Sequence, residues 1–265
     1  MSRVWLVFTY AQAAPFSLRL SVATTTAAVT SLVPTPASFK LALVDVAFRV
    51  HGDARRVFDL VKAREVRVGL PDAIVVQKTF GRVLVPWESK VKASERDAEM
   101  ADAKSQHAYP FKRTIAFTEI AFWSGSVRIA MDVASLSLPD RNTLSHLASH
   151  LSYLGKRGSF VQLVDVAEAE HTGVRPRDGY AVRTDQLKRT EWPSVFMSRP
   201  TDDLTPESEF DRISIATAER TRVGLSSVEK LDRLAGIPWL LPLRLVRTGK
   251  TFAFYKRSAP SREIE

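Results

Sequence analysis

The chain opens on a short apolar run, Val4-Trp5-Leu6-Val7-Phe8, that ends well before Pro15. Its β-branched and aromatic residues predict a first β-strand. With Arg3 ahead of it and Ala11-Gln12-Ala13 behind, the stretch has the outline of a secretory signal, but it is shorter than an h-region of about 7–15 apolar residues. A polar segment through Thr24, Thr25 and Thr26 follows. Phe39, Leu43, Val46, Ala47 and Val50 then recur at steps of three and four, which places them on one face of a helix. Thr35 fits as its N-cap and Pro36 as its first residue. A shorter helix is predicted over 53–63, with Val57, Phe58 and Val61 on one face.

From residue 66 the apolar period changes to two, through Val66-Arg67-Val68, Ile74-Val75-Val76 and Val83-Leu84-Val85, with a break at Gly81. Residues 88–112 lose apolar periodicity, and an insertion of that length inside a domain is usually functional or mobile. Strand character returns over 114–123, turns at Ser124-Gly125 and runs back through Val127, Ile129, Met131 and Val133, a predicted hairpin. A helix is predicted from about Asp140 along the stripe Leu144, Leu147, Ala148, Leu151 and Leu154, with Gly155 as the residue past its last turn. Ser159 to Val164 reads as a strand.

The order over 1–166 is strand, helix, paired strands with an insertion at about 88–112, helix, strand. This is the β-α-β-β-α-β order of a ferredoxin-like, RRM-like domain, so the predicted class is α+β. Residues 167–210 are rich in Pro, Gly and charge and read as linker or irregular structure. Within a smaller β-rich region, 167–265, a strand is predicted at 212–216. A capping box at Ser226-Ser227-Val228-Glu229 opens a helix that Gly236-Ile237-Pro238 ends, and a last hairpin spans Leu241–Val246 and Thr251–Tyr255.

Composition narrows the chemistry. The 265 residues include no cysteine, which excludes disulfides, thiolate metal sites and cysteine nucleophiles. No apolar run reaches the roughly 18 residues of a membrane helix, since Lys40, Asp45 and Arg49 interrupt the best candidate, and the reading is of a cytoplasmic protein with no membrane partner. The 38 Lys+Arg against 29 Asp+Glu leave a formal charge of +9, which attracts polyanions whatever the fold.

Pro34-Thr35-Pro36-Ala37-Ser38-Phe39-Lys40-Leu41-Ala42-Leu43, joined to Leu154-Gly155-Lys156-Arg157-Gly158-Ser159-Phe160-Val161-Gln162, resembles the Cas-five family, the CRISPR-associated subunit of type I effector (Cascade) complexes. That family is a branch of the repeat-associated RNA-binding superfamily, and the resemblance covers about residues 1–165. It implies a prokaryotic subunit that caps the 5′ handle of a guide crRNA for antiviral DNA surveillance. A β-hairpin thumb, here 88–112, would grip the guide. The implied partners are the guide crRNA, the backbone and large subunits of the complex, and target DNA through them.

The candidate RNA-contacting residues each have a plain alternative. Gly155 and Gly158 can let RNA backbone approach while Lys156 and Arg157 neutralise phosphates; equally, Gly155 caps a helix whose dipole the two cations complement. Free N–H groups near Ser38 with Lys40 one turn in make a possible anion site, or Lys40 is a solvated surface residue and Thr24–Thr26 a polar edge. Arg19 joins this set. Lys90, Lys92, Lys104, Lys112 and Arg113 can track phosphates along the thumb, although 88–113 carries six bases and five acids and reads otherwise as a solvated loop. Trp87, Tyr109 and Trp123 can stack on bases or belong to the core. The strip Arg244, Arg247, Lys250, Lys256, Arg257, Arg262 has no acid between 244 and 262 and can face RNA, protein or water.

Catalysis is not expected. His51, His107, His146, His150 and His171 are the candidates for general acid–base work, and no carboxylate joins His146 and His150 at ligand spacing. No GxxxxGK[ST], HExxH or GxSxG motif occurs, and no metal or cofactor is expected. The alternatives are a metal-independent guide-processing endoribonuclease of the same superfamily and a scaffold subunit that meets only protein.

Overall fold

A computed structural model describes residues 3–20, 29–50, 52–86, 93–105, 111–170, 174–186, 197–213 and 233–258. The first part runs β1 (Val4–Gln12), α1 (Pro36–Arg49), α2 (Ala54–Val61), β2 (Val66–Gly69), β3 (Ala73–Pro86), α3 (Ala93–Ser105), β4 (Phe111–Ser124), β5 (Val127–Asp132), α4 (Leu138–Ser149) and β6 (Val161–Glu170). The second part adds β7 (Tyr180–Arg183), β8 (Met197–Leu204), β9 (Arg233–Leu241), β10 (Leu243–Thr248) and β11 (Phe252–Arg257). Among the described residues the strands form a seven-stranded sheet, β6-β1-β5-β2-β7-β9-β8, and a four-stranded sheet, β10-β11-β3-β4.

The run β6-β1-β5-β2 is the ferredoxin-like motif. Its first and third strands lie in the centre, every pairing is antiparallel, α1 and α2 join the first strand to the second, and α4 joins the third to the fourth. Alternation on β1 explains why the helices seat where they do. Leu6, Phe8 and Tyr10 meet Phe39, Leu43 and Val46 of α1, with the Phe8 and Phe39 rings 5.3 Å apart. The other β1 face is buried as well, since Trp5 and Val7 lie under Val174 and Tyr180, and the Arg67 guanidinium covers the Trp5 ring at 5.0 Å. That face of the sheet is therefore not an open platform. α1 begins as predicted: Thr35 Oγ1 accepts the Ser38 N–H at 3.2 Å, and Pro36 takes the first turn.

The insertion is a hairpin arm with a helix at its tip. β3 and β4 pair residue by residue from Ala73↔Ser124 to Pro86↔Phe111, a ribbon about 45 Å long by the rise of a strand. α3 sits between the two strands in sequence, where no helix was predicted. Its sequence, with Glu95, Arg96, Asp97, Glu99, Asp102 and Lys104, has no apolar face to give a period.

Other expectations change. The predicted hairpin over 114–133 does not form, because the chain changes sheets at Ser124-Gly125: β4 pairs β3 in the four-stranded sheet, and β5 pairs β1 and β2 in the seven-stranded one. α4 ends at Ser149, not at Gly155. The His150 and Leu151 amides bond back to Leu147 and Ala148, a tightened last turn, and Leu151 and Leu154 stay buried without being helical. Residues 167–210, predicted as linker, hold the end of β6 with β7 and β8. β8 reads as a loop because of Pro200, Asp202 and Asp203, yet Asp202 Oδ1 accepts the Gly236 N–H at 3.1 Å and Asp203 is paired in the core. Gly236-Ile237-Pro238, predicted as a helix end, lies within β9. Gly236 has φ +70 where the β8–β9 register shifts, and Pro238 faces Pro200 beyond the short β7 pairing. The predicted 212–216 strand starts instead with a 3₁₀ turn, Phe210–Arg212, which the Ile213 N–H closes on Phe210 O, and 214–216 lie outside the described residues, as does the capping box. The last hairpin is present as β10 and β11, and β11 extends the arm's sheet by pairing β3. Strands from beyond residue 166 thus continue both sheets begun before it.

Candidate nucleic-acid interface

Beyond Gln77 the arm is a two-stranded ribbon, because β11 pairs β3 only over 73–77. Side chains alternate between the faces of a strand, so Phe80, Arg82 and Leu84 share one face with their partners Phe117, Ile115 and Arg113. That face is exposed: Phe80 is 77% accessible, Phe117 65%, Leu84 58% and Ile115 56%. Phe80 and Phe117 stand directly opposite each other, and no acidic residue occurs on this face from Phe80 to Pro86 or from Phe111 to Phe117. Aromatic rings spaced among arginines form the surface that single-stranded nucleic acid favours, with rings for base stacking and cations for phosphate.

The glycine-basic loop is the second basic element. It is a tight turn closed by Leu154 N–H to Ser159 O at 3.2 Å and Ser159 N–H to Lys156 O at 3.0 Å. Since α4 ends at Ser149, Gly155 is not its cap, and the helix dipole does not bear on Lys156 and Arg157. Gly155 is needed for a different reason. Its φ is +79, and a Cβ there would lie 3.1 Å from Leu18 Cβ, Phe16 Cε2 and Ser17 O. The Lys156 N–H bonds Ser17 O at 2.9 Å, and the Ser17 N–H bonds Ser159 Oγ at 2.9 Å. Gly155→Ala is expected to destabilise the fold by about 1–3 kcal/mol, read by urea unfolding, because it combines backbone strain with contact against 16–18.

The segment 16–20 ties this loop to the root of the arm. Phe16 pairs with Ala121, the Ser17 hydroxyl donates to Glu119 O at 3.1 Å, and Arg19 bridges to Thr30, whose N–H bonds Glu119 Oε2 at 3.1 Å. Arg19, Gly155, Lys156, Arg157 and Gly158 are therefore brought together beside the root of the arm. Arg19, Lys156, Arg157 and Gly158 are exposed.

Other predicted residues separate from that group. Lys40 is removed from the surface: its side chain is 1% exposed, with Nζ 2.6 Å from Asp203 Oδ1 and 3.0 Å from Lys62 O. The Ser38 hydroxyl donates to Thr35 O at 2.8 Å, and Thr35, Pro36 and Ala37 are buried, so the α1 N-terminus is capped and covered rather than open to an anion. Arg113 is exposed on the arm, Lys112 lies on β4, and Lys104 lies in α3 among four acids. Thr24, Thr25, Thr26, Lys90 and Lys92 lie outside the described residues, as do Trp87, Tyr109, Arg262, His51, His107 and His171. Trp123 belongs to the core, its Nε1–H bonding Leu32 O at 2.9 Å. In the C-terminal strip Arg257 pairs with Asp72 at 2.5 Å and Arg247 lies over the Phe252 ring, while Arg244 and Lys256 are exposed.

The His146 and His150 rings meet edge to face at 4.6 Å, and His150 Nδ1 is 3.0 Å from His146 O. Among the described residues no three His, Cys, Asp or Glu side chains cluster as a metal site, and no helix is long and apolar enough to cross a membrane.

No family model and no curated protein matches the chain. Among solved structures it is similar to a CRISPR protein from Archaeoglobus fulgidus, at 12% identity over 96% of this chain and 92% of that one, with a TM-score of 0.37. The fold is defined by the strand order and its antiparallel pairings.

Proposed function

We propose that the protein is a non-catalytic guide-RNA-binding subunit of a type I CRISPR effector complex, similar to the Cas-five family, that holds the 5′ handle of the guide. The observation that carries the reading is the acid-free face of the arm, with Phe80 and Phe117 paired beside Arg82 and Arg113. The sequence resemblance supports it, since the arm leaves the ferredoxin-like motif between its second and third strands, at the place expected for a thumb. Lys156 and Arg157 extend the basic surface from a loop whose backbone is held to the segment beside the arm. In such a subunit the guide's base pairing reads the target, and the protein reads backbone, handle shape and a few unstacked bases.

Co-purification of an RNA with a defined 5′ sequence tests the reading. Binding of repeat-derived RNA is expected to weaken steeply with salt. Lys156→Ala with Arg157→Ala is expected to reduce the salt slope by about 1–2 with the unfolding curve unchanged. A slope near zero favours a scaffold that meets only protein. Specific cleavage of repeat RNA in EDTA favours a processing endoribonuclease. Either result overturns the proposal.

A further inference from the structure

We propose that the cavity at the root of the arm binds one unstacked guanine of a single-stranded RNA, an inference that rests on the RNA-binding reading above. The cavity, of about 230 Å³, lies where residues 29–32, the start of the free ribbon and the β10–β11 turn meet. It is smaller than the roughly 300–1,000 Å³ pockets of drug-sized ligands, which suits a single planar ring. Leu32, Val76 and Ala253 give it apolar walls, and Phe252 adds an aromatic one. A Cβ on Gly249 would lie 2.6 Å from Phe252 Cε1, so the turn backbone rests against the ring and holds its position.

Three charged groups line the same space, and each retains unused hydrogen-bonding capacity. Glu119 Oε2 accepts the Thr30 N–H, while Oε1 stands 4.0 Å from Lys78 Nζ, beyond hydrogen-bond length. Lys78 and Glu119 are directly opposed across the ribbon, and the Lys78 side chain is 66% exposed. Arg199 donates from Nη2 to the Tyr255 hydroxyl at 3.1 Å, which uses one of the five N–H groups of its guanidinium. The matching ligand has adjacent donors for a carboxylate and acceptors for two cations. Guanine supplies both, with N1–H and the 2-amino group for Glu119 and with O6 and N7 for Arg199 and Lys78.

Position supports the same class. Lys78 and Phe80 are two apart on β3, as are Glu119 and Phe117 on β4, so the cavity continues the exposed aromatic face about 7 Å along the strand. A base stacked at Phe80 and Phe117 leaves the next nucleotide of an unstacked chain within reach of the cavity.

The test measures binding of the full chain to short single-stranded RNAs that differ at one position, guanine, inosine or adenine. Inosine lacks only the 2-amino donor. Guanine is expected to bind at least about tenfold more tightly than adenine and about fivefold more tightly than inosine. Glu119→Gln and, separately, Phe252→Ala are expected to bring the guanine preference below about twofold while guanine-free RNA binds as before. Because the three RNAs are compared on the unaltered protein, the result does not depend on a variant that folds. Equal binding of all three RNAs overturns the cavity proposal alone, as does a preference that survives both variants. Failure to bind any RNA overturns the RNA-binding reading and this proposal with it.

Discussion

Asp203→Ala is expected to lower the free energy of unfolding by about 3–5 kcal/mol, well above the roughly 0–1 kcal/mol of an exposed ion pair. Asp203 lies on β8 and Lys40 on α1, so their 2.6 Å contact ties a strand from beyond residue 166 to the first helix of the ferredoxin-like motif. The carboxylate also accepts from Arg183 Nη1 at 3.1 Å and from the Leu204 N–H at 2.8 Å. Burial is the largest influence on both partners, drawing the Lys40 ammonium below the usual lysine range and pushing the Asp203 carboxyl above the usual aspartate range, while their mutual attraction opposes both shifts. Truncating Asp203 leaves Lys40 buried with Lys62 O as its remaining hydrogen-bond partner, whereas Arg183 keeps its pair with Asp185 at 2.6 Å. The stranded ammonium, rather than the lost attraction, dominates the cost.

The number of partners left to each charge sets the order of the variants. Lys40→Met alone is expected to cost about 1–3 kcal/mol, because Asp203 retains Arg183 and the Leu204 amide. Adding Lys40→Met to Asp203→Ala is expected to recover stability, since it removes the unpaired charge. Urea unfolding followed by fluorescence of the buried Trp5 and Trp239 measures all three. A double variant less stable than Asp203→Ala would show that the pair acts through packing and not through charge.

Lys40 also shows where sequence reading stops. The three- and four-residue spacing located α1, and Thr35-Pro36 located its start, because both depend on neighbours in sequence. The direction of the Lys40 ammonium depends on Asp203, more than a hundred residues away, which no local pattern reports. The same holds for β8, whose aspartates read as a loop until their partners are known, and for α4, whose apolar stripe continues past the helix because Leu151 and Leu154 enter the same core. The glycine-basic loop was legible as a basic turn from its residues alone. Its attachment to Ser17, which places it beside Arg19 and the arm root, was not. Phe80-Arg82-Leu84 and Phe111-Arg113-Ile115-Phe117 do carry a signal, since at a period of two they give a face with no acid. Taking 88–112 as the whole insertion hides it, because the ribbon begins before that range and ends after it.

Replacing both rings, Phe80→Ala with Phe117→Ala, is expected to weaken RNA binding by about 5- to 150-fold for each stacked base lost, the equivalent of about 1–3 kcal/mol per base. The fold should tolerate the change. Both rings lie on the two-stranded part of the arm at 77% and 65% exposure, outside the buried core, so the stability term is that of one cross-strand pair, about 0.2–1 kcal/mol. A large binding loss without matching destabilisation distinguishes a contact surface from a structural one. The salt dependence separates the rings from the cations on the same face: the ring variant should shift affinity at every salt concentration and leave the slope unchanged. Arg82→Ala with Arg113→Ala should instead lower the slope by about 1–2. If the ring variant binds RNA normally yet no longer assembles with its partner subunits, the exposed face of the arm is a protein-docking surface. The basic loop at 155–158 then carries the RNA contact without it.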